Sequence, residues 1–279
     1  MSRALLAVDG DSFAHRAYHA LPKKAFRRAD GGPGNALEGF CNMLLRLWQA
    51  ERPRAVVVAW DTLEVPTYRH TAFTAYQAGR EFEAELLEQL HLLPGFVSSS
   101  GIVCAKAAGY EADDFLAAAA AHEEERGGTA LVATSDRDAF QLASERTTIL
   151  QPARGVPPTR IGPDEVRERY GVEPEQVVDF IALLGDPSDR IPGARGVGEK
   201  GAAKLLAQYG SLEALLAEGR FAAAAEALRL YRGLASLDRS APLPELPDAQ
   251  PDWAATAELA STLGLEGLAG RLAEAASSS

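Results

Sequence analysis

Ala55-Val56-Val57-Val58-Ala59-Trp60-Asp61 holds the longest strongly apolar run of the chain, and the run ends on an aspartate. Six apolar residues suit a buried strand and fall far short of the ~20 that a bilayer-spanning helix needs. Two further stretches have the same form: Leu5-Leu6-Ala7-Val8-Asp9 and Leu131-Val132-Ala133-Thr134-Ser135-Asp136. With residues 101–105, they give four strands, at 4–8, 55–60, 101–105 and 129–134. Helical periodicity fills the intervals at 11–20, 35–50, 83–93 and 112–126, the last stopped by Gly127-Gly128. Strands alternating with helices predict an α/β fold with a mostly parallel central sheet flanked by helices. In such a sheet Asp9, Asp61 and Asp136 face one edge, the edge where open α/β sheets bind ligands.

Working outward, the strands stop at about residue 160. Short helices separated by Gly or Pro are predicted at 163–170, 174–184, 199–209 and 212–217. Residues 241–252 are rich in proline and acid and read as a surface linker. An Ala/Leu-rich helical stretch follows at 253–276, with fraying expected at 277–279. The expected organisation is an α/β domain at 1–160, a helical region at 161–240, and a linker with a C-terminal helix packing on the core at 241–279. With 47% hydrophobic and 24% charged residues among 279, the chain is neither disordered, collagen-like nor a coiled coil. No secretory signal is legible at the N-terminus, where Asp9 interrupts the apolar run. Cys41 and Cys104 lie in apolar segments and predict buried thiols in a reducing cytoplasm, which excludes a disulfide scaffold or a cysteine zinc site. The net charge of −11 alone argues against a nucleic-acid binder. It is unevenly spread, however: residues 1–80 carry 11 Lys and Arg against 7 Asp and Glu, and residues 81–279 carry 17 against 32.

The acids cluster in sequence. Asp138 follows Asp136 by two positions, Glu111, Asp113 and Asp114 sit at a predicted helix start, and Asp186 and Asp189 share one loop. Any one of them alone reads equally as an N-cap or a solvated acid. Together they would repel at about 4 kcal/mol per pair at 4 Å and an effective dielectric of 20, so cations are needed to gather them. An all-oxygen set without His or Cys points to two Mg²⁺ or Mn²⁺ ions. Two such ions on one carboxylate cluster suit attack on a phosphodiester by water.

Two other segments bear on nucleic acid. Ile191-Pro192-Gly193-Ala194-Arg195-Gly196-Val197-Gly198-Glu199-Lys200-Gly201 follows a helix, so it is not a dinucleotide fingerprint; it fits the turn of a helix–hairpin–helix. Gly193, Gly196 and Gly198 would let a phosphate approach the backbone, with Arg190, Arg195, Lys200 and Lys204 around it. A tight αα-turn without a ligand is the alternative, which the flanking cations weaken. Tyr68-Arg69-His70-Thr71-Ala72-Phe73-Thr74-Ala75-Tyr76-Gln77-Ala78-Gly79-Arg80 interleaves aromatics with cations, which suits base stacking and phosphate pairing as well as it suits an aromatic core stripe. The basic run Lys23-Lys24-Ala25-Phe26-Arg27-Arg28 reads either as a solvated face or as a duplex contact.

Taken in order, these motifs resemble the 5′-nuclease family: the 5′→3′ exonuclease domain of bacterial DNA polymerase I and the flap endonucleases, with a PIN-like fold. The resemblance runs over residues 5–216. Val8-Asp9-Gly10, Trp60-Asp61, Gly109-Tyr110-Glu111-Ala112-Asp113-Asp114, Thr134-Ser135-Asp136-Arg137-Asp138 and Gly185-Asp186-Pro187-Ser188-Asp189 match its acidic motifs. It implies one metal site from Asp9, Asp61, Glu111 and Asp113, another from Asp136, Asp138, Asp186 and Asp189, and Asp114 acting behind them or through water. It implies a K⁺ ion on backbone carbonyls around Val197, touching a duplex phosphate. Arg69, Phe73, Tyr76, Arg80, Gly193, Arg195, Gly196, Val197, Gly198, Lys200 and Lys204 become the expected DNA contacts. Tyr76, Gln77 and Arg80 become the expected catalytic set, beneath a helical arch at about 73–97. The family usually has lysine where this chain has Gln77, and the arch here is acidic. A weakened phosphate clamp and slower hydrolysis are therefore expected.

The resemblance implies a nuclease that hydrolyses DNA at 5′ flaps, 5′ ends and gapped or branched duplex, in replication and repair; of a free-standing form and a fragment, Met1 and the serine-rich end lead to the expectation of a free-standing one. It would be monomeric, cytoplasmic and nucleoid-associated, without a membrane, and linked in function to a polymerase and a ligase. A DNA-structure-binding protein with weakened catalysis is the first alternative. A haloacid-dehalogenase-type phosphatase, starting from Asp9-Gly10-Asp11-Ser12, is the second, and it leaves the hairpin unexplained.

Overall fold

The computed structural model describes residues 3–79, 81–153 and 156–277. Among them six strands form one sheet: β1 (Leu5–Asp9), β2 (Ala55–Ala59), β3 (Val103–Ala105), β4 (Ala130–Ala133), β5 (Thr147–Gln151) and β6 (Thr159–Ile161). The order is β3-β2-β1-β4-β5-β6, all parallel except β6. The chain lays down strands to one side of β1, then returns to the other with β4. The crevice at the carboxyl ends of β1 and β4 is therefore the topological switch point of the sheet.

The helices of the first half are α1 (Gly10–Ala20), α2 (Asn35–Glu51), α3 (Tyr68–Ala72), α4 (Ala84–Ser98) and α5 (Ala112–Glu125). After the sheet come α6 (Pro163–Tyr170), α7 (Val177–Leu184), α8 (Glu199–Tyr209), α9 (Leu212–Ala217), α10 (Ala225–Ala235), α11 (Trp253–Thr262) and α12 (Glu266–Ser277). Alternate residues of β1 enter two different cores, as the two-residue period of a strand requires. Leu5 and Ala7 pack with Phe115 and Leu116 of α5 and with Phe180 of α7. Leu6 and Val8 pack with Phe13, Phe40 and Leu90, and with the α11–α12 hairpin through Trp253, Leu268 and Leu272. No helix among the described residues is long and apolar enough to cross a membrane.

One glycine fixes the geometry at the switch point. A Cβ on Gly10 would stand 2.5 Å from the Trp60 ring. Its absence lets α1 start directly on the end of β1, so that Asp9 is both the last strand residue and the N-cap of the helix.

The structure corrects several expectations. The two outer strands, β5 and β6, were not predicted: β5 mixes threonines with its buried Ile149 and Leu150, and β6 is three residues long with only Ile161 buried. The C-terminal stretch is two helices, because Gly264 turns at φ +76° where a Cβ would meet the Ala29 backbone nitrogen at 2.9 Å. The expected arch at 73–97 is largely absorbed into the core. From Ala84 onward it is α4, which buries Leu86, Leu90, Leu93, Phe96 and Val97. Of the described residues before α4, Tyr76 and Gln77 are the ones from this stretch that line the acid cleft. Two cations of the basic run after α1 pair with acids of that region. Lys23 donates to Glu83 (2.6 Å) and Glu85 (2.9 Å), and Arg28 is buried between Asp30 (2.9 Å) and Glu88.

Candidate metal centre

Five separate segments deliver acids to one cleft of about 730 Å³ at the carboxyl edge of the sheet. Asp9, Asp61, Glu111, Asp113, Asp136, Asp138, Asp186 and Asp189 all line it. Asp9 is anchored at the end of β1, where its carboxylate accepts from Ser12 N (2.9 Å) and Thr134 Oγ1 (2.6 Å), tying β1 to β4. Asp61 follows β2 and accepts from Ala112 N (2.8 Å) at the start of α5. Glu111 is the N-cap residue of α5, with Asp113 in its first turn. Asp136 accepts from Asp138 N (2.9 Å). Asp186 accepts from Ser188 N (2.7 Å) within a turn closed by the Asp186–Ile191 backbone pair.

The electrostatic state of the cluster follows from burial and like charge. Burial pushes the Asp9 carboxyl up to about 7 against its hydrogen bonds from Thr134 and Ser12, and Asp61 and Asp136 add to the rise. Burial likewise pushes Glu111 up to about 7, with Asp61 and Asp114 adding and Arg69 opposing. Asp113 and Asp138 are held well above the ordinary carboxylate range by burial and by Asp136. Asp189 is raised in the same sense, by burial before Asp186 and Asp136.

The residues fit a divalent cation. The donors are all hard oxygens, and Asp113 Oδ1 is buried with no hydrogen-bond partner. An acceptor in that position costs free energy until a proton or a cation meets it. Among the described residues no three such side chains are already closed into a cage.

Asp114 keeps its expected place behind the cleft acids: it is fully buried and accepts two bonds from Arg69 (2.9 and 2.7 Å) and others from Tyr68 OH (3.1 Å) and Asp238 N (2.9 Å). Several expected roles change. Arg69 is no DNA contact. It is 1% exposed, and its guanidinium is engaged by Asp114, Glu111 (3.1 Å) and the carbonyls of Leu234 and Ser236. Tyr76, 3% exposed, offers no face to a base. Its hydroxyl, with one proton to share, lies within hydrogen-bond distance of both Glu111 (3.1 Å) and Asp189 (3.3 Å), joining the two groups of acids. Phe73 is half-buried, edge-on to Tyr231. Arg80 lies outside the described residues. Gln77 takes a left-handed conformation (φ +46°), and its amide donates to Asp189 Oδ1 (2.8 Å). Asp11 accepts from Asp61 N (2.7 Å), a structural duty that the phosphatase reading does not predict.

Sequence reasoning missed other residues of the cleft. Ser12, His15, Arg16 and His19 line it from one face of α1, and Arg137 lines it beside Asp136. The signal of the four α1 residues is their spacing of three, six, seven and ten positions after Asp9, which places them on one helical stripe.

The hairpin between α7 and α8 has two parts. Gly185 (φ +87°) and Gly193 (φ +71°) pack backbone to backbone, where a Cβ on Gly193 would stand 2.5 Å from Gly185 N. These two are structural. Gly196 and Gly198 instead face open space, and Arg195, Lys200 and Lys204 around them are exposed.

A parallel α/β sheet with an acid-lined switch point, followed by helices carrying a helix–hairpin–helix, defines a resolvase-like PIN fold joined to a SAM-like helical domain. The chain belongs to the 5′-3′ exonuclease family: residues 4–171 match its N-terminal resolvase-like domain and residues 172–255 its C-terminal SAM fold. It is 42% identical over 246 residues to DNA polymerase I of Mycobacterium leprae, covering 87% of this chain and 27% of that protein. It is 42% identical over 213 residues to the thermostable DNA polymerase I of Thermus thermophilus, covering 76% and 25%. The chain thus spans about a quarter of the length of these relatives. Among solved structures it is similar to T5 5′-exonuclease with bound divalent metal ions (zinc), at TM-score 0.68 and 18% identity over 98% of this chain and 100% of that one. It is also similar to human GEN1 in complex with Holliday junction DNA, at TM-score 0.62 and 14% identity over 99% and 72%. At these identities the likeness is one of fold.

Proposed function

We propose that this chain is a structure-specific 5′ nuclease that hydrolyses DNA phosphodiesters with two divalent ions, Mg²⁺ or Mn²⁺. Its substrates would be 5′ flaps, 5′ ends and gapped or branched duplex. The observation that carries this reading is the convergence of eight carboxylates on one cleft, with Asp9 and Asp138 buried among them and Asp113 Oδ1 left without a hydrogen-bond partner. Asp9, Asp61, Glu111 and Asp113 would hold one ion, and Asp136, Asp138, Asp186 and Asp189 the other. Bound there, such ions supply activated water and stabilise charge on the attacking and leaving oxygens. The chain's own part is to place them: Tyr76 fixes the spacing between Glu111 and Asp189, and Thr134 fixes Asp9 against β4. Arg16 and Arg137 on the cleft wall offer positive charge to the phosphate. Arg80 completes the proposed catalytic set.

The exposed Arg195, Lys200 and Lys204 would grip duplex backbone beside Gly196 and Gly198, with K⁺ on the carbonyls around Val197. Such contacts position DNA without reading its sequence. In this reading residues 1–160 supply six of the eight cleft acids, residues 161–240 add Asp186 and Asp189 and hold the duplex, and residues 241–279 brace the core. The protein would act as a monomer in a bacterial cytoplasm, at the nucleoid, beside a polymerase and a ligase.

A second reading, a binder of branched DNA with weak catalysis, draws on Gln77, whose neutral amide is bound to Asp189 where the family usually has a cation. Cleavage of a labelled 5′-flap duplex in Mn²⁺, Mg²⁺ or EDTA, beside an Asp136→Ala control, tests both. Cuts near the junction that need metal and Asp136 support the nuclease. Tight binding without cuts under either metal supports the binder.

A further inference from the structure

We propose that His70 is a positioning residue for the metal site, holding the Glu111 carboxylate through two separate arms. The inference rests on the reading that Glu111 is a metal ligand. His70 lies on α3 and faces a hollow of about 600 Å³ that adjoins the acid cleft and shares Asp61, Gln77 and Glu111 with it.

The first arm is Thr67. Its backbone N–H donates to His70 Nδ1 (3.3 Å). Its hydroxyl lies 2.8 Å from the same nitrogen and 3.2 Å from Glu111 Oε1. The second arm is Tyr76. Its ring meets the imidazole edge to face, with centroids 5.2 Å apart and planes at 87°. Its hydroxyl donates to Glu111 Oε2 (3.1 Å). Each oxygen of Glu111 is therefore met by a side chain that leans on one imidazole. Both arms are buried and in contact with the ring. A carboxylate fixed in advance loses less freedom on binding an ion, and partners of this kind are commonly worth about tenfold to a hundredfold in metal affinity. Arg69 also donates to Oε2 (3.1 Å), but it is itself committed to Asp114 and serves one oxygen only.

The test is calorimetric titration of MnCl₂ into the DNA-free full chain, with melting temperature measured alongside. The variants are Asp113→Ala, His70→Ala, His70→Asn (which keeps an acceptor for Thr67) and His70→Phe (which keeps a ring against Tyr76). His70→Ala is expected to weaken Mn²⁺ binding about tenfold or more, with His70→Asn and His70→Phe each recovering part of the loss. A lower melting temperature with unchanged Mn²⁺ affinity would mean that the ring is structural only, and the proposal falls. If His70→Ala does not fold, the two conservative variants decide the matter, and wild-type affinity in both overturns the proposal. Binding that is lost in Asp113→Ala but unchanged in His70→Ala overturns the His70 inference and leaves the metal site standing. Failure of the unaltered protein to bind Mn²⁺ overturns the metal site and the inference with it.

Discussion

Helix α5 carries buried acids at both of its ends, and the two ends are treated in opposite ways. Near its C-terminus Glu123 is paired with Arg54, which also reaches Asp248 (2.8 Å) and the Leu246 carbonyl (3.0 Å). At its N-terminus Arg69 serves Asp114 and one oxygen of Glu111, yet Glu111 and Asp113, just before Asp114, open onto the cleft among other acids. Burial is similar at the two ends; the supply of cations is not. One end is a finished ion pair that locks the linker after α10 to the core. The other is left short of positive charge, which is the condition of a site that recruits an ion.

The comparison breaks most readily at Asp113. Asp113→Ala is expected to reduce metal-dependent flap cleavage by about 10³-fold, the scale of losing one preorganised electrostatic group. Asp113→Asn is expected to stabilise the metal-free protein at pH 8 by about 1–2 kcal/mol, by relieving like-charge strain. Urea unfolding in EDTA measures this, and a clear loss of stability would mean that the cleft acids are satisfied as they stand. The mirror change at the other end carries the opposite sign. Glu123→Gln leaves Arg54 short of its main partner and is expected to cost about 3 kcal/mol by the same measurement.

The pH dependence sharpens the contrast. The folded-state values of Asp9 and Glu111 are raised to about 7. Their protonated forms favour the fold, so this contribution is fully present below about pH 4 and is lost as pH rises through about 7. Metal-free stability is thus expected to fall between about pH 4 and pH 7 by a few kcal/mol in total. Saturating Mn²⁺ should flatten the curve. Gln77→Lys should speed cleavage by about tenfold to a hundredfold if a cation beside Asp189 reaches the phosphate; an unchanged or lower rate counts against the clamp. Lys200→Ala is expected to have the smallest effect, lowering DNA affinity alike for all sequences and reducing the salt slope by about one.

The parts of the molecule that were legible in the sequence are those governed by local pattern. Strands ending in Asp9, Asp61 and Asp136 announce themselves by apolar runs, and Gly193 to Gly198 mark a hairpin whatever the rest of the chain does. The parts that were not legible depend on partners far away in sequence. Nothing near Arg69 says that Asp114, 45 positions on, will bury it. Nothing near Lys23 says that Glu83 and Glu85 will neutralise it, so the basic run and the acidic arch looked like separate surface features. Strand β6 escaped because three edge residues carry no period, and the arch was overdrawn because Leu86, Leu90 and Leu93 face the core, a direction that charge on Glu83, Glu85 and Glu88 obscured.

The hydroxyl of Tyr76 joins Glu111, which lies in the resolvase-like part, to Asp189, which lies in the SAM-like part. Ownership of the site is therefore divided, and neither half of the polypeptide holds a whole one. A chain severed between residues 171 and 172 would give two fragments that are inert apart. Activity on mixing them would report whether the halves find each other without a peptide bond, so this single phenol makes the nuclease a natural subject for fragment complementation.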